Sequence, residues 1–171
     1  TTSLSADQAA AVDLISSWAA SRRPVFTLGG LAGTGKTTTV RAITDALAGR
    51  YALAHVAPTN QAARVLAGKL PGHTVSTVHG LIYQPLGLQH CAACPAKLDP
   101  EARCHAALVR CGCRPTYRYE PRDVKADIII CDEASMVSDR MHDDLLQLND
   151  GARRTKILYV GDHGQLAPVM G

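Results

Sequence analysis

Apolar positions along the chain fall into short continuous runs separated by stripes at helical spacing. Residues 5–20 read as a first helix, with Ser5 placed to cap it and Gln8 three positions on, the spacing of a capping box. Residues 25–29 form a short apolar run ending in glycine, which predicts a strand. Residues 36–48 predict a helix in which Val40, Ile43 and Leu47 share one face. A second strand is expected over 51–57, stopped by Pro58, and a helix over 61–70. Residues 75–78 are a short β-branched run. Residues 85–121 are rich in Pro, Gly and Cys, show no period and read as an insertion. Ile128-Ile129-Ile130, within 127–131, predict a strand buried on both faces. A helix over 140–148 and a buried strand over 156–160 follow. Apolar strands alternating with helices imply an α/β fold, a parallel sheet covered by helices on both faces. No internal repeat is visible.

Composition narrows the class. The 171 residues are 46% hydrophobic and 19% charged, which fits one soluble globular domain. Aromatics make up 4%, so aliphatic side chains must fill the core. No apolar run approaches the roughly 18 to 20 residues of a membrane span, and no export signal is visible, so a cytoplasmic protein is expected. The net charge of +3 argues neither for nor against nucleic acid. Its distribution is uneven: between Gln84 and Lys125 seven basic residues face four acids, and the rest of the chain balances. Five of the six cysteines lie between Cys91 and Cys113. With no export signal before them, a metal site is the better reading of so tight a cluster than a disulfide framework.

The strongest chemical signal is Gly30-Leu31-Ala32-Gly33-Thr34-Gly35-Lys36-Thr37, followed by Thr38. It matches G-x-x-x-x-G-K-[ST] between a predicted strand and a predicted helix, the context of a P-loop. The glycines let backbone N–H groups turn toward phosphate oxygens, and the helix adds its N-terminal dipole. Gly33, Thr34, Gly35, Lys36, Thr37 and Thr38 are the candidate ATP-binding residues. Lys36 would neutralise the β- and γ-phosphates, and Thr37 would ligate Mg²⁺. The second signal is Asp132-Glu133 at the end of the triple-isoleucine strand. Ligands bind at that end of such sheets. Asp132 would hold Mg²⁺ and Glu133 would polarise the attacking water; on local grounds alone, the pair reads equally as solvated acids at a strand end. The third is Gly161-Asp162-His163-Gly164-Gln165, again after an apolar strand. Gln165 is placed to contact a γ-phosphate or the attacking water, with a plain Gly-Asp turn as its alternative.

Taken in order, these motifs resemble the superfamily 1 DNA helicases of the 5′-to-3′ class, the RecD-like and Dda-like group. Leu4-Ser5-x-Asp7-Gln8 is similar to the family's Q-motif, Gly30 to Thr37 to motif I, Ala57 to Ala63 to motif Ia, and Thr77-Val78-His79-Gly80-Leu81 to motif Ib. Asp132-Glu133-Ala134-Ser135-Met136 matches motif II, and Gly161 to Val169 is similar to motif III. Gly164 and Ala167 depart from the family's habits in the coupling segment. The resemblance covers 1–83 and 124–171 and implies a RecA-like ATP-binding domain over those residues. It leaves 84–123 as a Cys-rich insertion.

The resemblance also implies roles. Gln8 would read adenine, Gln165 would couple the γ-phosphate to DNA, and Pro58, Thr59, Thr77 and His79 would contact single-stranded DNA. Local alternatives are the capping box for Gln8, a strand terminator and helix N-cap for Pro58 and Thr59, and a structural loop histidine for His79. The family pairs two such domains, the second supplying an arginine finger that can be worth about 10³ or more in rate. The chain therefore looks like the first motor domain of a longer protein, with the second RecA-like domain as its partner. In the insertion, Cys91-x-x-Cys94 and, after sixteen intervening residues, Cys111-x-Cys113 can supply four zinc ligands, with Cys104, His105 or His90 as substitutes. Reduced cysteines in a loop are the alternative. Arginines there, with Tyr117 and Tyr119 interleaved, would suit phosphate backbone, or form only a solvated face. Two other functions fit less well: a P-loop ATPase or switch not coupled to DNA, and a zinc-bearing nucleic-acid module with a vestigial ATP site. The four residues Lys36, Thr37, Asp132 and Glu133 are all present, which argues against decay.

Overall fold

In the computed structural model, residues 4–30, 35–89, 116–148 and 154–162 are described; for 85–89 and 116–120 this is the backbone alone. The chain divides into two compact units, 1–82 with 123–171, and 83–122.

The larger unit is built on five parallel strands, β1 (Val25–Gly29), β2 (Leu53–Ala57), β3 (Val75–Thr77), β6 (Ile128–Cys131) and β7 (Lys156–Gly161), in the order β1-β7-β6-β2-β3. Parallel neighbours need crossovers, and the helices supply them: α2 (Lys36–Leu47) and α3 (Asn60–Lys69) follow β1 and β2, and α5 (Asp139–Gln147) joins β6 to β7. α1 (Ala6–Ala20) precedes the sheet, and its start carries the expected capping box: Gln8 N–H donates to Ser5 Oγ at 3.2 Å, and Ser5 N–H to Gln8 Oε1 at 3.0 Å.

Ile128, Ile129, Ile130, Cys131 and Ile157 to Val160 are all buried, as continuous apolar strands covered on both faces require. Ile128, Ile130, Leu158 and Val160 pack on one face with Ile15 and Trp18 of α1, Val40, Ile43 and Leu47 of α2, and Leu66 and Leu70 of the α3 end. On the other face, Tyr159 Oη meets His142 Nδ1 of α5 at 2.7 Å.

The expected elements are present with shifted ends. β2 begins at Leu53 rather than 51, because the N–H groups of Arg50 and Tyr51 close the α2 end on Leu47 O and that of Ala52 donates to Asp127 Oδ2 at 2.8 Å. Val78, the last residue of the β-branched run, opens a short helix, α4 (Val78–Ile82), because Thr77 Oγ1 accepts from Gly80 N–H at 3.0 Å. A 3-10 turn, Ala134–Met136, was likewise outside the expected elements.

The smaller unit holds two strands in a stretch expected to be irregular. β4 (Tyr83–Gln89) and β5 (Thr116–Pro121) pair antiparallel, from Tyr83↔Pro121 to Gln89↔Thr116, with a register irregularity between Pro85 and Gly87. Pro85 and Gly87 spoil the alternation that marks a strand, and the pairing partner lies far along the chain, so no local pattern announces it.

Candidate functional site

Parallel strands deliver their C-terminal ends to one edge of the sheet, and the motif residues collect there. Gly29 pairs with Gly161, Tyr159 with Cys131, Cys131 with Val56, and Ala57 with Thr77. The residues that follow therefore line up along that edge: Gly30 after β1, Asp162 after β7, Asp132-Glu133 after β6, Pro58-Thr59 after β2 and Val78-His79 after β3. The strand carrying Asp162 lies between the P-loop strand and the Asp-Glu strand, so the three ATP-site signals sit side by side. The two stretches read as DNA contacts occupy the other half of the edge.

At the P-loop end, Lys36 reaches back and donates from Nζ to Gly30 O at 2.8 Å, closing the loop across its base. Gly35 stands at the N-cap of α2 in the left-handed region, φ +79°, with no side-chain cap bond at that helix start. The first N–H groups of α2 are therefore not spent on a capping side chain, which is what phosphate recognition at a helix N-terminus needs. The Gln8 amide lies against Gly35: a Cβ there would meet Gln8 Nε2 at 2.7 Å. Gln8 thus caps α1 with its Oε1 and presents its Nε2 to the P-loop helix. Thr37 and Thr38 occupy the first turn of α2, half-buried. Gly33, Thr34 and Gln165 lie outside the described residues.

At the Asp-Glu end, β6 is buried to its last residue. Burial and the nearby Asp132 charge push the Cys131 thiol up to about 12, so Cys131 acts as a small apolar side chain. Asp132 extends the ladder through N–H to Val56 O at 3.0 Å. Burial raises its carboxyl above the ordinary carboxylate range. The Glu133 N–H, donating to Asp132 Oδ1 at 3.0 Å, pulls it back, the Glu133 charge raises it, and Lys69 and then Lys36 lower it. A half-buried carboxylate with a threonine hydroxyl and lysines around it is hard-oxygen chemistry that fits Mg²⁺ held with a phosphate. Glu133 is the sole non-glycine residue with positive φ among the described residues, φ 56° and ψ 40°. That conformation costs an ordinary side chain about 1 kcal/mol or more and tends to mark working sites. Here it turns the chain so that Glu133 O accepts from Met136 N–H at 2.9 Å.

Asp132 and Glu133 line one wall of a cleft of about 310 Å³, and Thr59, Gln61, Ala62, Val65 and Lys69 of the α3 region line the other, with Met136 also on its surface. From this cleft Lys69 Nζ donates to Thr37 Oγ1, at the start of α2, at 3.2 Å. Val65 and Lys69 lie outside every motif, and Gln61, within the stretch similar to motif Ia, had no role assigned to it. Their four-residue spacing puts them on one stripe of α3, and an apolar Val65 that is 51% exposed there was the available signal.

On the other half of the edge, the Thr59 hydroxyl accepts from Ala62 N–H at 3.1 Å and so caps α3. Thr77 does the same for α4. Pro58 is half-buried and His79 exposed. Among the described residues no group of His, Cys, Asp and Glu is arranged to hold a metal by itself. Cys91, Cys94, Cys104, His105, Cys111 and Cys113 lie outside those residues, as does His90. No described helix is long and apolar enough to cross a membrane.

A family model described as an AAA domain matches residues 3–171. The chain is 36% identical over 170 residues to the ATP-dependent RecD2 DNA helicase of Deinococcus radiodurans, covering 97% of this chain and 18% of that protein. It is 30% identical over 145 residues to the ATP-dependent DNA helicase dda of Enterobacteria phage T4, covering 84% of this chain and 28% of that protein. The chain thus spans less than a third of the length of either relative. The resemblance to RecD-like and Dda-like proteins holds over nearly the whole chain, and the first match runs through the Cys-rich segment that the motifs alone leave out. With the parallel sheet, these matches make the fold an α/β, RecA-like P-loop NTPase fold.

Proposed function

The chain belongs to the AAA-domain family, and on that premise we propose that it is the ATP-binding and hydrolysing motor domain of a DNA helicase acting on single-stranded DNA. The observation that carries the reading is the order of the sheet edge: P-loop, Asp162, Asp132-Glu133, then Pro58-Thr59 and Thr77-His79. Nucleotide chemistry and the DNA-type motifs share one rigid edge, which is what a coupled motor requires. Lys36, Thr37 and Asp132 are the residues that would hold Mg²⁺ and the phosphates; the ion supplies neutralisation of phosphate charge. Glu133 takes the role of base toward the attacking water, Gln8 that of adenine reader, and Gln165 that of coupler. A second RecA-like domain completes the site in this reading, and the protein is cytoplasmic.

The test is ATP hydrolysis by the intact protein with and without single-stranded DNA, beside Lys36→Ala. Strong stimulation by DNA, abolished in the variant, is expected. Lys36-dependent hydrolysis indifferent to DNA would instead support a P-loop switch, and Pro58, Thr59, Thr77 and His79 would then be structural. Glu133→Gln is expected to slow hydrolysis about 10²- to 10⁴-fold while nucleotide still binds. The cysteine spacing adds a zinc-held insertion to the proposal, with Cys91, Cys94, Cys111 and Cys113 as ligands. Metal analysis of the purified protein is expected to find one zinc per chain, lost in Cys91→Ser with Cys94→Ser; a metal-free wild type would refute it.

A further inference from the structure

Lys69 closes α3 as the last residue of that helix, and the helix is clamped on the core by Leu66 and Leu70, each 1% exposed. Its Cα is therefore held in place, and its ammonium reaches the start of α2. There it donates to Thr37 Oγ1 at 3.2 Å. Its charge also acts on Asp132 more strongly than that of Lys36 does. Thr37 and Asp132 are the two side chains that the nucleotide-site reading assigns to Mg²⁺. An ammonium and a divalent cation drawn to the same hydroxyl and the same carboxylate repel each other, so each weakens the other's hold.

We propose that Lys69 is a place-holding cation beside the nucleotide site: it donates to the Thr37 hydroxyl from the cleft that Asp132 also lines, and Mg²⁺ entering with nucleotide competes with it for that oxygen. The inference rests on the reading of Thr37 and Asp132 as the Mg²⁺ ligands of the nucleotide site. It makes Lys69 a positioning residue. It also ties the C-terminal end of α3, the helix that Thr59 opens, to the state of the metal.

The experiment is a Mg²⁺ titration of the intact protein with a fluorescent ADP, which has no γ-phosphate for a displaced lysine to meet. Lys69→Met keeps the apolar stem and removes the charge; it is expected to lower the Mg²⁺ concentration for half-saturation about two- to fivefold, the range an exposed charge contact supports. Lys69→Arg keeps the charge and is expected to stay within about twofold of wild type. Lys69 is exposed, so neither variant should disturb folding. A half-saturation point unchanged or raised in Lys69→Met would overturn the proposal. Lys36→Ala in the same titration separates the two ideas. If it leaves ADP binding intact, the nucleotide-site reading itself fails. If it weakens ADP binding while Lys69→Met shifts nothing, only the place-holder fails.

Discussion

At Gly35 the main chain has φ +79°, and a methyl group added there would stand 2.7 Å from Gln8 Nε2. The two obstacles are separable. Gly35→Ala is expected to lower stability by at least about 1 kcal/mol and to weaken nucleotide binding, because the left-handed turn aims the first N–H groups of α2. Adding Gln8→Ala removes the clash and leaves the backbone strain, so thermal unfolding of the double variant should recover part of the loss; no recovery would show that the Gln8 contact is incidental. Glu133 is the opposite case, a long side chain holding a conformation that suits glycine or asparagine. Glu133→Asn tolerates φ 56° and should leave stability equal or up to about 1 kcal/mol higher, whereas Glu133→Val should lower it. Equal unfolding midpoints for the two variants would refute stored strain at this residue. The P-loop glycines could be read from the motif. The strain at Glu133 could not, since nothing in Asp-Glu-Ala-Ser-Met demands positive φ until a 3-10 turn must start there.

Among the elements, α3 does two jobs with two stripes and a third through its cap. Ala63, Leu66 and the following Leu70 face the core, Gln61, Val65 and Lys69 face the cleft, and Thr59 caps the start. Thr59 is therefore committed to the helix before any question of DNA. Thr59→Ala is expected to cost about 1 kcal/mol of stability, and Thr59→Ser, which keeps the cap oxygen, close to none. Denaturant unfolding of the pair checks the cap. The helix and its cap were legible from spacing. The cleft stripe was not, because a four-residue repeat of Gln, Val and Lys is an ordinary solvated face until another element stands opposite it.

For the molecule as a whole, one contribution to acid stability comes from a buried polar contact between separate elements. His55 of β2 is 2% exposed, and its Nε2 lies 2.9 Å from Thr44 Oγ1 of α2. Thr44 gives its own proton to Val40 O at 2.8 Å, so it accepts from His55 and holds the neutral imidazole. His73, before β3, stands edge-on to the ring at 5.2 Å. Burial, and then the His73 charge, lower the His55 pKa from 6.5 to about 4. The unfolded chain therefore takes up this proton first as pH falls. The contribution to stability is complete above about 6.5 and is lost as pH falls toward 4, on the order of 3 kcal/mol in all. Unfolding midpoints should drop across that window, and His55→Gln should flatten the drop; a parallel pH curve for the variant would refute the assignment.

The sequence by itself determined the alternation of strands and helices, the P-loop between β1 and α2, the Asp-Glu at the end of a strand buried on both faces, and the family likeness. Each is a local signal: a period, a cap, or a motif whose residues are neighbours in the chain. Only the tertiary structure decided the strand order, and with it the placing of Asp162 between the P-loop and Asp132. It also decided the β4–β5 pairing around the Cys-rich stretch, the Gln8 contact with Gly35 and the reach of Lys69 to Thr37. Those depend on contacts between residues about 30 or more apart in sequence, where chain direction and packing, rather than periodicity, set which groups meet.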